Sequence, residues 1–250
     1  MPGSGAMRIA VLADVHANLH ALEAVLAEAR REGYDELWLA GDWVGYGAFP
    51  DETVTLLRAA GALGICGDMD REVLAAGADA LPAEAPREKC EALAWASNEL
   101  LPGTFTFLAE LPEQRRLPLG SAGEALLVHG SPAAIDEHLW PNTPTERLEE
   151  LAAEAGAALV ICGHTHAAMD RTADGSRFLN PGSVGRPGDG DPRAAWALLQ
   201  VDGNEIAFDR RRVTYDHEAA AASVRDRGLP DAVARMFAEG KKLKDVLGDG

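Results

Sequence analysis

The chain has 250 residues, 47% of them hydrophobic, and its 23 basic against 40 acidic side chains give a formal net charge of −17. That composition supports one large α/β domain with a substantial core, and the acidity excludes broad nucleic-acid affinity, which rests on Lys and Arg neutralising phosphates. The three cysteines, Cys66, Cys90 and Cys162, are odd in number and scattered without a CxxC pair, unlike a secreted disulfide framework. No stretch resembles a signal peptide or a membrane span, Met1 to Ala6 being a short run rich in small residues, so the expected location is cytoplasmic.

In chain order, the apolar run Ile9 to Ala13 predicts a strand that leads into Asp14 and His16. Leu19, Leu22, Val25 and Leu26 then fall at helical spacing over Leu19 to Arg31, with Asn18 as N-cap. Leu37 to Ala40 predicts a strand ending at Asp42, Asp51 to Ala60 a helix, and Leu63 to Cys66 a strand before Asp68. The Ala, Glu and Leu-rich block from Glu72 to Leu111, punctuated by Pro82, Pro86, Pro102 and Pro112, reads as short helices able to cap a site. Ala125 to Val128 is a strand leading to His129. A loop with Pro141 and Pro144 enters a helix over Thr145 to Ala155, and Leu159 to Cys162 is a strand before His164 and His166. Arg177 to Leu179 forms a short strand into NPGSVG at Asn180 to Gly185. Alternation in Ala195 to Val201 and Glu205 to Tyr215, around Asp202-Gly203-Asn204, predicts a hairpin. From His217 the chain is helical, and Lys241, Lys242 and Lys244 are expected on a solvated helix face. With no internal repeat, the organisation is a single domain over residues 1–250: a core over 7–216, a helical insertion over 72–111 and a tail over 217–250.

Four clusters carry the chemistry: DVH at Asp14 to His16, GD at Gly41 and Asp42, HGSP from His129, and GHTH from Gly163 to His166. Asp and His suit hard to borderline cations such as Mn²⁺, Fe or Zn²⁺, and two cations about 3.5–4 Å apart clamp phosphoryl oxygens and activate water. Each candidate lies just past the carboxyl end of a predicted strand, the edge where open α/β sheets hold ligands. Side chains at i and i+2 of a strand end point the same way, so Asp14 with His16, and His164 with His166, are each expected to grip one site. Cys66 and Cys162 end buried strands and are expected to pack as small apolar residues.

As an ordered set with GDMD at Gly67 to Asp70 and NPGSVG, these motifs resemble the calcineurin-like metallophosphoesterases, in particular a small bacterial and archaeal branch, over about Met7 to Val201. The resemblance implies an α/β fold, a two-sheet β-sandwich flanked by helices. It implies that Asp14, His16 and His166 hold a first metal, that Asp42 bridges, and that Asp68, His129 and His164 hold a second. It further implies two divalent cations, Mn²⁺ favoured with Fe, Zn²⁺ and Ni²⁺ also fitting. The reaction it implies is direct attack on phosphorus by a metal-bridging hydroxide, with Asp42, His129 and His164 in the catalytic centre.

Two positions depart from the family pattern. The usual metal-binding Asn is Asp68, and the His proposed as general acid in some members is Met69. Asp68 still ligates, but it lacks the amide N–H that an Asn offers a phosphate oxygen. Near 5 Å with an effective dielectric of about 20, its added charge costs on the order of 3 kcal/mol per unit of substrate charge, an upper figure. A dianionic monoester pays roughly twice what a diester monoanion pays, which favours small, nucleotide-like phosphodiesters. The alternatives are a protein or small-molecule phosphomonoesterase, disfavoured because GDWVGYG lacks the Arg of GDxxDRG, and a metal-binding interaction scaffold like the retromer subunit that shares the fold. His138 lies where an imidazole of ordinary pKa about 6.5 could donate a proton to a leaving group, whereas His20 and His217 read as surface or capping residues. Arg186 is a candidate for substrate contact or loop support, and Trp43 and Tyr46 for stacking or packing. No stable nucleic-acid or membrane partner is expected, and homo-oligomerisation is left open.

Overall fold

Strand alternation assigns the side chains of β1 (Met7–Leu12) to two different cores: Ile9 and Val11 join one, Ala10 and Leu12 the other. The computed structural model describes residues 6–76 and 84–248. After β1 come α1 (Leu19–Glu32), β2 (Glu36–Leu39), α2 (Pro50–Ala59), β3 (Leu63–Gly64) and α3 (Asp68–Ala76). Next are α4 (Arg87–Glu99), α5 (Pro102–Ala109), β4 (Gln114–Pro118), β5 (Glu124–Val128), α6 (Thr145–Ala155) and β6 (Leu159–Ile161). The chain finishes with β7 (Met169–Ala173), β8 (Ser176–Asn180), β9 (Ala194–Asp202), β10 (Glu205–Val213), α7 (His217–Asp226), α8 (Asp231–Glu239) and α9 (Leu243–Leu247).

The strands form two five-stranded mixed sheets, ordered β10-β9-β1-β2-β3 and β4-β5-β6-β8-β7. Ile9, Val11, Trp38, Leu127, Ile161 and Leu199 are among the side chains that fill the layer between the sheets. The other face of the first sheet packs on helices through Leu12, Leu39, Leu22, Val25, Val54 and Phe237, and that of the second on α6 through Val128, Leu148, Leu151 and Phe178. This is the two-sheet sandwich flanked by helices. Within it β1, β2 and β3 run parallel, as do β5, β6 and β8, so the loops after β1, β2, β5 and β6 gather at strand carboxyl ends.

Two strands escape a periodicity reading. β4 has the sequence QRRLP and β7 MDRTA; both are edge strands with one buried neighbour, and their charged residues mask the alternation. β3 is shorter than the run Leu63 to Cys66 because the Cys66 N–H turns to the carbonyl of Pro112 instead of continuing the ladder. Prolines punctuate the helical block as expected, with Pro86 capping α4 and Pro102 opening α5, while Pro82 lies outside the described residues.

Asn18 joins three parts of the fold. Its side-chain oxygen caps α1 by accepting from the Ala21 N–H at 3.1 Å, and its amide donates to the Gly185 carbonyl at 2.8 Å and the Tyr215 hydroxyl at 3.1 Å. The residue is buried, so Asn18→Ala loses the cap and strands two acceptors. Urea unfolding of this variant should show a loss of about 2–4 kcal/mol; a loss below roughly 0.5 kcal/mol would remove Asn18 from this role.

Candidate metal centre

Just past the strand ends the backbone turns into the left-handed region, at Asp14 (φ 56°), His16 (50°), Asp42 (56°), His164 (64°) and His166 (58°). A side chain other than glycine is rare there and costs about 1–3 kcal/mol, a strain that persists only where the surroundings impose it. Here they do. The N–H groups of Val15 and His16 both donate to the Asp42 carbonyl, at 2.8 and 3.0 Å, that of Gly185 donates to the Asp14 carbonyl at 3.0 Å, and the His164 N–H donates to Asp14 Oδ1 at 3.0 Å.

This backbone, rather than the pleat of a strand, aims the side chains. Asp14, His16, Asp42 and His166 form one group of converging atoms, and Asp68, His129 and His164 a second. The expectation that His164 and His166 grip one site together is therefore corrected: successive left-handed turns send them to different groups. Asp42 faces both. Its Oδ2 lies 3.5 Å from His16 Nε2, and its Oδ1 lies 3.4 Å from His129 Nε2.

The imidazole tautomers follow from backbone carbonyls, and each leaves a lone pair aimed inward. His129 Nδ1 donates to the Ala40 carbonyl at 2.7 Å, which leaves Nε2 bare 2.7 Å from Asp68 Oδ1. His164 Nε2 donates to the Asp136 carbonyl at 3.1 Å, leaving Nδ1 bare 3.0 Å from that same oxygen. His166 Nδ1 donates to the Arg186 carbonyl, so its Nε2 faces His16 Nε2 at 3.0 Å with no proton of its own. Nitrogen lone pairs converging on each other and on a carboxylate need a proton or a cation between them, and the buried Asp14 Oδ2 has no partner among the described residues. The donor set, oxygens and imidazoles in two groups sharing one carboxylate, fits a pair of divalent cations.

The electrostatics agree. Burial lowers the charge affinity of His129 and His164, but Asp42 beside the first and Asp68 beside the second outweigh it and hold both imidazoles above their ordinary range. Burial also raises Asp42, while at Asp68 the imidazoles of His129 and His164 that face its Oδ1 overcome burial and hold the carboxyl well below the usual range. His16 is lowered, by burial and then by the Arg186 guanidinium.

Glycine and one further aspartate bring the loops this close. A Cβ on Gly67 would strike Asp42 Oδ1 and the Asp42 N–H, and one on Gly41 would lie 2.5 Å from His129 Nδ1. Asp70, fully buried, accepts from Val44 N–H at 3.0 Å and Gly67 N–H at 2.9 Å, locking the Asp42 loop to the Asp68 turn. Burial and then Asp42 push its carboxyl up to about 8. A positioning role for Asp70 was not apparent in the sequence, because it is set by backbone donors rather than by a ligand pattern.

The groups open into a cleft of about 350 Å³ bordered by Tyr46, Met69, Lys89, His138, Trp140 and Arg186, with Lys242 and Lys244 at its rim. The expected solvated helix face at the C-terminus is thus corrected for Lys242, which precedes α9 and turns, half-buried, to the cleft; Lys241 pairs with Glu239, and Lys244 is exposed on α9 while bordering the cleft. His138 overhangs the second group, its ring 4.3 Å from that of His164 and stacked on Trp140. Trp43 packs in the core and donates to the Ile65 carbonyl, while the Arg186 guanidinium lies 4.3 Å over the Tyr46 ring at the cleft wall. His20 bonds Ser223 and His217 starts α7, both away from the site. Burial pushes the thiols of Cys66 and Cys162 up to about 12, leaving them as packing groups.

Residues 7–204 match the model of the calcineurin-like phosphoesterase superfamily domain. The chain belongs to that superfamily. It is 28% identical over 247 residues to an uncharacterized protein of Methanocaldococcus jannaschii, covering 92% of this chain and 97% of that one. Its fold superposes on a metallophosphoesterase from Sphaerobacter thermophilus with a TM-score of 0.80 and 31% identity, over 94% of this chain and all of the other. A hypothetical protein from Pyrococcus horikoshii shares the fold at a TM-score of 0.84 and 23% identity, over 94% of this chain and 99% of that one. Membership supports a metal-dependent phosphoesterase. Among the described residues no helix is long and apolar enough to cross a membrane.

Elemental analysis after Mn²⁺ loading and desalting should give two ions per chain. Asp42→Ala should lower occupancy of both groups, whereas His166→Ala should remove about one ion. No metal above background in the parent would contradict the ligand assignment.

Proposed function

We propose that the protein is a cytoplasmic, binuclear phosphoesterase that hydrolyses small, nucleotide-like phosphodiesters, with Mn²⁺ as the favoured ion. The observation that carries this reading is the Asp42 carboxylate, whose two oxygens face histidines of opposite groups. In it Asp14, His16 and His166 hold one ion, Asp68, His129 and His164 the other, and Asp42 both. Two divalent cations held there would supply a lowered pKa for water and neutralise charge on the phosphoryl oxygens.

The chain's own residues set the rest. The carbonyls of Ala40, Asp136 and Arg186 fix three imidazoles, so the ligand set is assembled before substrate arrives. Asp68 adds negative charge at the cleft floor, which penalises a dianionic monoester more than a diester. Met69 lines the cleft where some relatives carry a histidine, and a thioether donates no proton. His138 is near enough to serve, but burial, then His164, lowers its pKa, so it is mostly uncharged at neutral pH and a weak acid source. The net charge of −17 argues against a stable nucleic-acid partner.

With matched aryl mono- and diesters, Asp68→Asn should raise the monoester-to-diester ratio of kcat/KM several-fold, with a ceiling on the order of a hundredfold from the charge term. An unchanged ratio would reduce the Asp68 swap to a neutral ligand exchange. Turnover should also fall steeply with leaving-group pKa across aryl and alkyl diesters. A shallow dependence that steepens in His138→Ala would instead make His138 the proton donor, and failure of the Mn²⁺-loaded protein to turn over any ester would favour a binding scaffold.

A further inference from the structure

The cleft rim is cationic on a strongly anionic protein. Lys89 is neutralised by Glu72 at 2.7 Å, whereas Arg186, Lys242 and Lys244 form no ion pair among the described residues. Lys242 is also held, unlike an ordinary surface lysine. Its ammonium lies 4.5 Å over the Trp140 ring, and its stem runs across Gly188, where an added Cβ would come within 2.8 Å of Lys242 Cγ. The Gly190 N–H donates to the Gly240 carbonyl at 2.9 Å, strapping the C-terminal segment onto the loop that carries Arg186. Beyond Lys242 the cleft continues into a second hollow of about 360 Å³ bordered by Trp140, Thr165, His166, Gly188 and Asp189, the last paired with Arg212. Space therefore extends past the two ligand groups on the side where the free cations stand. Burial, and then Lys244, lowers the pKa of Lys242, a repulsion that an anion placed between the two would relieve.

We propose that Lys242 and Lys244 of the C-terminal strap, with Arg186, form a second anion subsite, which binds a phosphate or comparable anionic group of the substrate other than the one cleaved. The proposal deepens and rests on the hydrolytic reading above. It gives the substrate two anionic centres: a diester monoanion beside Asp68, where excess charge is penalised, and a more highly charged group at the rim, where it is attracted. The lysines lie beyond residue 204, where the family match ends.

The test compares two ligands that differ by one phosphate. Calorimetry on the Mn²⁺-loaded protein should show thymidine 3′,5′-bisphosphate binding about tenfold tighter than thymidine 5′-phosphate, with the difference shrinking as salt is raised. The preference should fall towards unity in K242Q/K244Q and persist in K242R/K244R. Lys244 is exposed, so K244Q alone, which spares the packed Lys242, should lower the preference without threatening the fold. Equal affinities in the parent, or a preference that survives both K244Q and K242Q/K244Q, would overturn the subsite. The p-nitrophenyl 5′-esters of thymidine with and without a 3′-phosphate separate the two readings. A binding preference without turnover of either ester would refute hydrolysis and keep the subsite; turnover without preference would refute the subsite alone.

Discussion

Three carboxylates and four imidazoles share one largely buried edge of this protein, and their mutual charge is the constraint on which the rest of the structure turns. Burial alone would neutralise each group, yet Asp68 is held ionised while His129 and His164 are held above their usual range. Those directions describe a cluster with a strong appetite for positive charge, and a bound cation must compete with protons for the same lone pairs. The carbonyls that fix the imidazole tautomers orient the lone pairs in advance, and the left-handed turns bring them within reach.

The sandwich serves that edge. Parallel strands in each sheet deliver their carboxyl ends to it, and the apolar layer between the sheets, with Trp38 and Ile161 among its members, is the rigid base against which strained loops are held. Loops from opposite sheets meet directly: His164 N–H donates to Asp14 Oδ1, and His129 Nδ1 to the Ala40 carbonyl. Asp70 and Asn18 work one step further out. The first ties the Asp42 loop to the Asp68 turn, and the second ties the Asp14 loop to the glycine-rich turn before Arg186.

Much of this was legible in the sequence, for identifiable reasons. Apolar runs ended by Asp or His located the strands and the ligand candidates, and Asn18 before Leu19 announced the first helix. Edge strands β4 and β7 were not legible, since charged residues on half-exposed strands carry little period. The division of His164 from His166 was implied by the family resemblance and not by the pleat rule, which fails once the backbone leaves the β region. The roles of Asp70 and Lys242 were hidden for different reasons. Asp70 acts through main-chain donors that leave no residue pattern, and Lys242 reaches the cleft only through a strap formed by distant glycines, Gly188, Gly190 and Gly240.

On the proposed reading, Asp42 joins the two groups into one binuclear centre. Electron paramagnetic resonance of the protein loaded with two equivalents of Mn²⁺ tests it most directly, because ions about 3.5–4 Å apart through a shared carboxylate interact magnetically. A pair of ions shared by Asp42 should give the multiline spectrum of an exchange-coupled pair. A six-line spectrum of isolated Mn²⁺ at two bound equivalents would contradict it.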